Sequence, residues 1–263
     1  MILSIIIPCF NHGSYLDEAI ASLPDKNSLD YELIIVDDGS TDPFTLAKFD
    51  ELRKNGHRII SHPNGGLAYS RNTGIAQSAG RYILPLDADN KINIPGLVKT
   101  VALLECGEYD IVYGKPKFFG EDIPSRKFRP KPFNGDELFL GNYIDACAVF
   151  KREVWEIVGG YDEKMPFQGN EDWEFWISAY LQGCRFKFLD EYCFEYRISG
   201  NSMLGSIVDN ERKLANQRYL TNKHYEAHLD AFAKHFTKSR IYQFEQDRPM
   251  RTMLKYLRKA IFR

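Results

Sequence analysis

The sequence predicts an α/β fold: a mostly parallel sheet flanked by helices, followed by a helical C-terminal extension. Three observations carry this. Apolar, β-branched runs alternate with helix-length segments through the first half of the chain. Each of those runs stops in polar or turn-forming residues. From about Asp209 the pattern is helical only. Strand–helix repeats of this length imply parallel pairing through right-handed crossovers.

Leu3 to Pro8 is the first run, and three consecutive isoleucines without polar alternation read as a strand buried on both faces. Ser14 is the expected N-cap of the next helix, with Asp17 in the N3 position of a capping box and an end near Leu23-Pro24. Tyr31 to Val36 is the second strand, followed by a helix near Thr45 to Lys54. His57 to Ser61 is the third strand, Gly66 to Ser78 a helix, and Arg81 to Leu86 the fourth strand. Tyr109 to Tyr113 and Ala146 to Lys151 read as further strands. Phe118 to Pro132 mixes basic residues with prolines and reads as a loop or edge ribbon. Glu171 to Leu181 is a helix, because Trp173, Trp176, Ile177, Tyr180 and Leu181 fall at helical spacing. Arg185 to Ile198 reads as one or two strands. Beyond Asp209, Tyr225, Leu229, Phe232 and Phe236 share one helical face.

The totals bound the function. A chain of 263 residues suits one large α/β domain or two small ones. Hydrophobic content of 44% and charged content of 27% allow a sizeable core. A formal net charge of −2 gives no hint of a nucleic-acid partner. The five cysteines are odd in number and lack a Cys-x-x-Cys pair, against a disulfide framework or structural zinc and for a reducing, cytoplasmic compartment. Ile2 to Ile7 is too short for a secretory leader, and no apolar run approaches the roughly 20 residues that span a bilayer.

Parallel strands place their carboxyl ends on one edge, and open α/β sheets bind ligands beyond that edge. Here those ends are Phe10-Asn11-His12-Gly13, Asp37-Asp38-Gly39-Ser40, His62-Pro63-Asn64-Gly65 and Asp87-Ala88-Asp89-Asn90. Asp87 and Asp89 have the chemistry to dock a Mg²⁺ or Mn²⁺ diphosphate; the plain alternative is a solvated acidic turn. The carboxylates of Asp37 and Asp38 suit a nucleobase imide or ribose hydroxyls, or else simply cap the next helix. Gly65 and Gly66 open a helix bearing Arg71, which pairs with a phosphate or with a surface acid. Glu171 and Asp172 open the strong helix. They are either favourable charges for its macrodipole or a general base held ionised there for an acceptor hydroxyl. Phe167 and Trp173 lie close enough to these acids to stack on a sugar. Arg197 reaches phosphate or closes its strand with an ion pair. The tail from Arg248 to Arg263 sets Met250, Met253, Leu254, Leu257 and Ile261 against Arg251, Lys255, Arg258 and Lys259. Such a helix lies on the inner face of a membrane as a peripheral contact, or packs on the domain.

Taken together, Ser4 to Asn11, Val36 to Asp42, Gly66 to Gly74 with Ser70-Arg71-Asn72, Leu86-Asp87-Ala88-Asp89 and Asn170-Glu171-Asp172 resemble a family 2 glycosyltransferase. The resemblance covers about residues 1 to 200. It implies a GT-A fold with a Rossmann-like sheet, a nucleotide-sugar donor of the UDP-linked kind, transfer of a single sugar with inversion at the anomeric carbon, and a glycan, glycolipid or other hydroxyl acceptor. It implies a catalytic domain over 1–205, with a nucleotide-sugar half (1–115), an acceptor half (116–205) and an extension over 206–263. Pro8, Phe10, Asn11 and Asp38 would frame the base, Arg71 would lie near base and phosphate, and Asp89 would be the metal ligand with Asp87 beside it. Asp172 would be the catalytic base, assisted by Glu171. Asn90 stands where many members carry another Asp, and Ser199 where many carry a His. A Gln-x-x-Arg-Trp motif is absent, which favours transfer of one sugar over processive synthesis. The rival readings are a sugar-phosphate nucleotidylyltransferase, whose Gly-rich loop is not supplied by Pro8 to Gly13, and a response-regulator-like or sugar-nucleotide-binding module without catalysis.

Overall fold

The structure is a computed structural model that describes residues 2–121, 128–198, 210–248 and 250–253. Its centre is an eight-stranded sheet ordered β3-β2-β1-β4-β7-β6-β8-β5. β1 (Leu3–Cys9) is buried along its whole length. It pairs in parallel with β2 (Tyr31–Asp37) and β4 (Tyr82–Pro85), and β2 pairs in parallel with β3 (Arg58–Ser61). β7 (Val149–Lys151) runs antiparallel to both β4 and β6 (Ile111–Gly120). β8 (Phe186–Ile198) returns parallel to β6, and the short β5 (Lys91–Ile92) closes the edge against β8.

Alternation along β1 divides the core between the two faces of the sheet. Ile6 points to one side with Ile34, Val36 and Ile83. There it meets Ile75 of α3 (Gly66–Ala76), Val154 of α6 (Arg152–Val158) and Trp176 of α7 (Glu171–Leu181). Ile5 and Ile7 point to the other side, onto Leu16 of α1 (Leu16–Ala21), Phe49 of α2 (Pro43–Lys54) and Leu97 of α4 (Ile94–Glu105). A three-layer sandwich follows. On the α7 side, α5 (Gly135–Leu138), α8 (Asn210–Lys223) and α9 (Tyr225–Gln246) add Leu138, Leu220 and Ala231 to the core. Among the described residues no helix is long and apolar enough to cross a membrane.

Several local expectations are corrected. Ser14 caps no helix: Gly13–Tyr15 is a 3-10 turn, α1 begins at Leu16, and no side chain caps either. That turn is tied instead to α2, where the Gly13 N–H donates to Thr45 Oγ1 at 3.0 Å. Asp17 faces outward to Lys48 at 2.9 Å. Phe118 to Gly120 are strand, because β6 stays paired with β8 as far as Ile198; residues 122–127 lie outside the described residues. α4 has a legible start that the periodicity argument passed over: Asn93 accepts the Gly96 N–H at 3.0 Å and Pro95 sits in the first turn. The expected Tyr225-to-Phe236 face exists and points to solvent. The basic tail beyond Met253, and Ser199, lie outside the described residues.

Candidate active site

The strand register builds the site. Cys9 lies opposite Asp37, which sets Phe10 beside Asp38 at the carboxyl edge. Ile6 lies opposite Pro85 and the Leu86 N–H donates to Ile6 O at 2.9 Å, so Asp87 to Asp89 emerge on the same edge. A cavity of about 1000 Å³ opens there. Its wall takes Pro8, Phe10, Asn11 and His12 from the end of β1, Asp38 after β2, Arg71 from α3, and Asp87 and Asp89 after β4. The opposite wall holds Phe167 to Asp172 with Asp145, and α8 contributes Arg212, Lys213 and Asn216. Asp89 and Asp172, far apart in sequence, therefore face one cleft.

Arg71 joins the two walls. It is 1% exposed, and its guanidinium donates to Glu171 Oε1 at 2.7 Å and to Asp87 Oδ1 at 2.9 Å. Burial works against its charge, but Asp87 and then Glu171 outweigh that, so it stays ionised. It lies over the Tyr161 ring, 5.5 Å from the centroid. The surface-acid alternative thus fails in one respect: the partners of Arg71 are acids of the site.

Asp172 has Asn142 Nδ2 3.0 Å from its Oδ2. Burial, then the charge of Glu171, push its carboxyl up to about 8, and Arg71 only partly opposes them. The helix start does not hold it ionised, as the sequence suggests it should, because desolvation outweighs a favourable end charge. Asp89 is also raised, first by burial and then by the charge of Asp87, with His12 and Arg197 opposing. Two carboxylates side by side on a cleft wall have the chemistry to share a cation with a ligand. Among the described residues no cluster of three or more His, Cys, Asp or Glu able to hold a metal occurs, so a cation held there would take its other ligands from phosphate oxygens and water.

The remaining candidates are placed as follows. Asp37 is buried, accepts the Ser40 N–H at 2.8 Å, and does not line the cavity. Asp38 lines it, but its oxygens accept the N–H groups of Gly65 at 2.7 Å and Gly66 at 3.0 Å, at the start of α3. Asn11 adopts a left-handed backbone (φ 56°), and its amide oxygen accepts the Thr41 and Asp42 N–H groups at 2.8 and 2.9 Å. It staples the β1 and β2 loops together. Phe10, 44% exposed, is the open aromatic of that wall. Arg197 braces the acidic turn from behind: its Nε donates to Asp89 O at 3.1 Å and its guanidinium pairs with Glu18 at 2.9 Å. It does not line the cavity. Asn90, buried, holds the Arg197 N–H at 3.0 Å. Trp173 is core, its indole donating to Leu138 O at 2.7 Å, whereas Phe167 stays on the wall.

Sequence reasoning missed Asn142, Asp145 and the α8 residues, and placed His12 at the ligand edge without a role. Asn216 carries no local signal, yet its amide bonds Phe167 N and O at 3.0 and 2.9 Å and Asn170 at 3.0 Å, fixing the segment that leads into Asp172.

The chain is similar to known proteins in sequence and in fold. The chain is 28% identical over 255 residues to the uncharacterized glycosyltransferase EpsJ of Bacillus subtilis, covering 89% of this chain and 70% of EpsJ. It is 26% identical over 263 residues to chondroitin synthase of Pasteurella multocida, covering 94% of this chain but only 27% of that protein. The fold matches the crystal structure of S. aureus TarS 1-349 in complex with UDP-GlcNAc at a TM-score of 0.62 and 23% identity, over 78% of this chain and 61% of that one. That likeness shows the GT-A fold. The family model described as glycosyl transferase family 2 matches residues 4–158, more than half of the sequence, and the chain therefore belongs to that family of glycosyltransferases.

Proposed function

We propose that the protein transfers a single sugar, with inversion, from a UDP-linked donor to an acceptor hydroxyl in polysaccharide, glycolipid or other cell-surface glycan synthesis. The observation that carries this is the cleft itself: Asp87 and Asp89 on one wall, Glu171 and Asp172 on the other, joined by the buried Arg71. UDP is supported by the TarS structure with UDP-GlcNAc, and the polymer acceptor by the chondroitin synthase relative. Residues 1–115 take the donor side and residues 116–205 the acceptor side.

Asp172 accepts the proton of the acceptor hydroxyl. That oxygen attacks the anomeric carbon as the bond to the diphosphate oxygen breaks, so the configuration inverts. A carboxyl raised to about 8 is a stronger base than a solvated one once ionised. Glu171 and Arg71 hold the start of α7 in place, and Phe10 offers a face to the base. Asp89, with Asp87, would hold Mn²⁺ or Mg²⁺, which supplies charge neutralisation at the leaving diphosphate.

The test is UDP-sugar turnover and UDP calorimetry on two variants. Asp172→Asn is expected to keep UDP binding and lose transfer by about 10²-fold or more. Asp89→Ala is expected to abolish the Mn²⁺-dependent gain in UDP affinity. Normal transfer by Asp172→Asn would remove that residue from the mechanism.

A further inference from the structure

α9 is amphipathic the wrong way round for a helix that merely packs on its own domain. Ala231, on the face toward α5, is 1% exposed. On the opposite face Tyr225, Leu229, Phe232 and Phe236 are 56, 50, 59 and 54% exposed. Phe232 and Phe236 stack on one another with centroids 6.3 Å apart. A contiguous apolar stripe that points to water marks a docking surface.

Its spacing says what docks. Tyr225, Leu229, Phe232 and Phe236 alternate steps of four and three residues, which is the a/d seam of a coiled coil and calls for another helix. α9 has 22 residues, three heptads long and about 33 Å at 1.5 Å per residue. Its charges argue against an anionic lipid surface. Glu226, Asp230 and Glu245 balance Lys234, Lys238 and Arg240, so the helix has no basic face to hold headgroups.

The charges beside the seam select the partner. On one flank Glu226 and Arg240 stand symmetrically about Ala233, each one heptad away. Arg240 already leans on the seam, 5.9 Å from the Phe236 centroid. If a second α9 lies antiparallel across the first, Phe232 meets Phe236 of the copy and Phe236 meets its Phe232. The same alignment, with the flank displaced by one residue along each helix, leaves Glu226 within about 3 Å axially of Arg240 of the copy, twice, with the two Ala233 residues between. A helix whose flank is its own complement under a two-fold axis fits a second copy of itself.

We propose that α9 is a homodimerisation element, pairing antiparallel with α9 of a second copy through Phe232 and Phe236. Sedimentation of the full chain over about 1–100 µM, the range in which modest interfaces dissociate, is expected to show a dimer. Phe232→Asp, at an exposed position outside the catalytic cleft, is expected to keep its circular dichroism and transfer rate. It should raise the dimer dissociation constant at least about tenfold. Glu226→Arg and Arg240→Glu should each weaken the dimer, and together restore it. A chain monomeric throughout that range overturns the proposal, as does a dimer indifferent to Phe232→Asp. Failure of the double charge reversal to restore association overturns the antiparallel register. A monomer that floats with phosphatidylcholine–phosphatidylglycerol vesicles, and stops doing so in Phe232→Asp, overturns it in favour of a membrane.

Discussion

Replacing Arg71 with Met tests the centre of the site. The methionine keeps much of the volume and removes the charge. Glu171, 4% exposed, then loses its 2.7 Å partner and Asp87 its 2.9 Å partner. Breaking a buried ion pair by deleting one member costs about 3–5 kcal/mol, and the two pairs share one guanidinium, so their costs do not simply add. For a domain of this size, 1 kcal/mol moves the melting temperature by roughly 2–4 °C, so a drop of about 6–20 °C is expected. The pH dependence has a definite sign. Asp172 is raised to about 8 in the fold, so between the ordinary carboxylate range and that value the native state holds the extra proton. Its stabilising effect is complete in acid and declines as pH rises through about 8. Arg71 lowers this carboxyl, so its loss moves the decline to higher pH and steepens it there. Thermal melts of both proteins at about pH 6 and pH 9 read this out, with a larger deficit expected at the higher pH. Arg71→Lys, which retains a charge but cannot bridge two acids, should fall between. A variant melting within about 2 °C of the parent at both values would refute the reasoning.

Two further predictions concern the frame. Asp110 accepts hydrogen bonds from Arg185 Nε at 2.9 Å and Lys151 Nζ at 2.7 Å, and these hold its carboxyl well below the usual carboxylate range. Asp110→Asn should cost about 1–2 kcal/mol in urea melts at neutral pH, and that deficit should vanish only in strong acid, as the parent carboxyl protonates. A deficit already gone at about pH 5 would show that the charge is not what matters. Gly74 lets α3 lie on the sheet: a Cβ there would meet Ile6 Cγ2 at 2.4 Å. Gly74→Ala should therefore destabilise by about 1–2 kcal/mol in the same assay, despite the better helix propensity of alanine, and a stabilised variant would count against that packing.

Much of this protein was legible before any coordinates. The first four strands could be read from apolar runs, and parallel pairing then forced Phe10, Asp38 and Asp87 to Asp89 onto one edge. The bounds of α7 were given by its aromatic spacing. These features are local, and strand periodicity together with crossover handedness suffices for them. The tertiary structure decided the rest. It inserted β7 antiparallel between β4 and β6, turned Asp37 inward to its own loop, and set Asp38 on the backbone of α3. It joined Arg71 to a glutamate 100 residues away, reversed the expected effect on Asp172, and aimed the aromatic face of α9 at solvent. An acid's charge state and a side chain's partner depend on burial and on distances through space, and neither is written in the neighbouring residues.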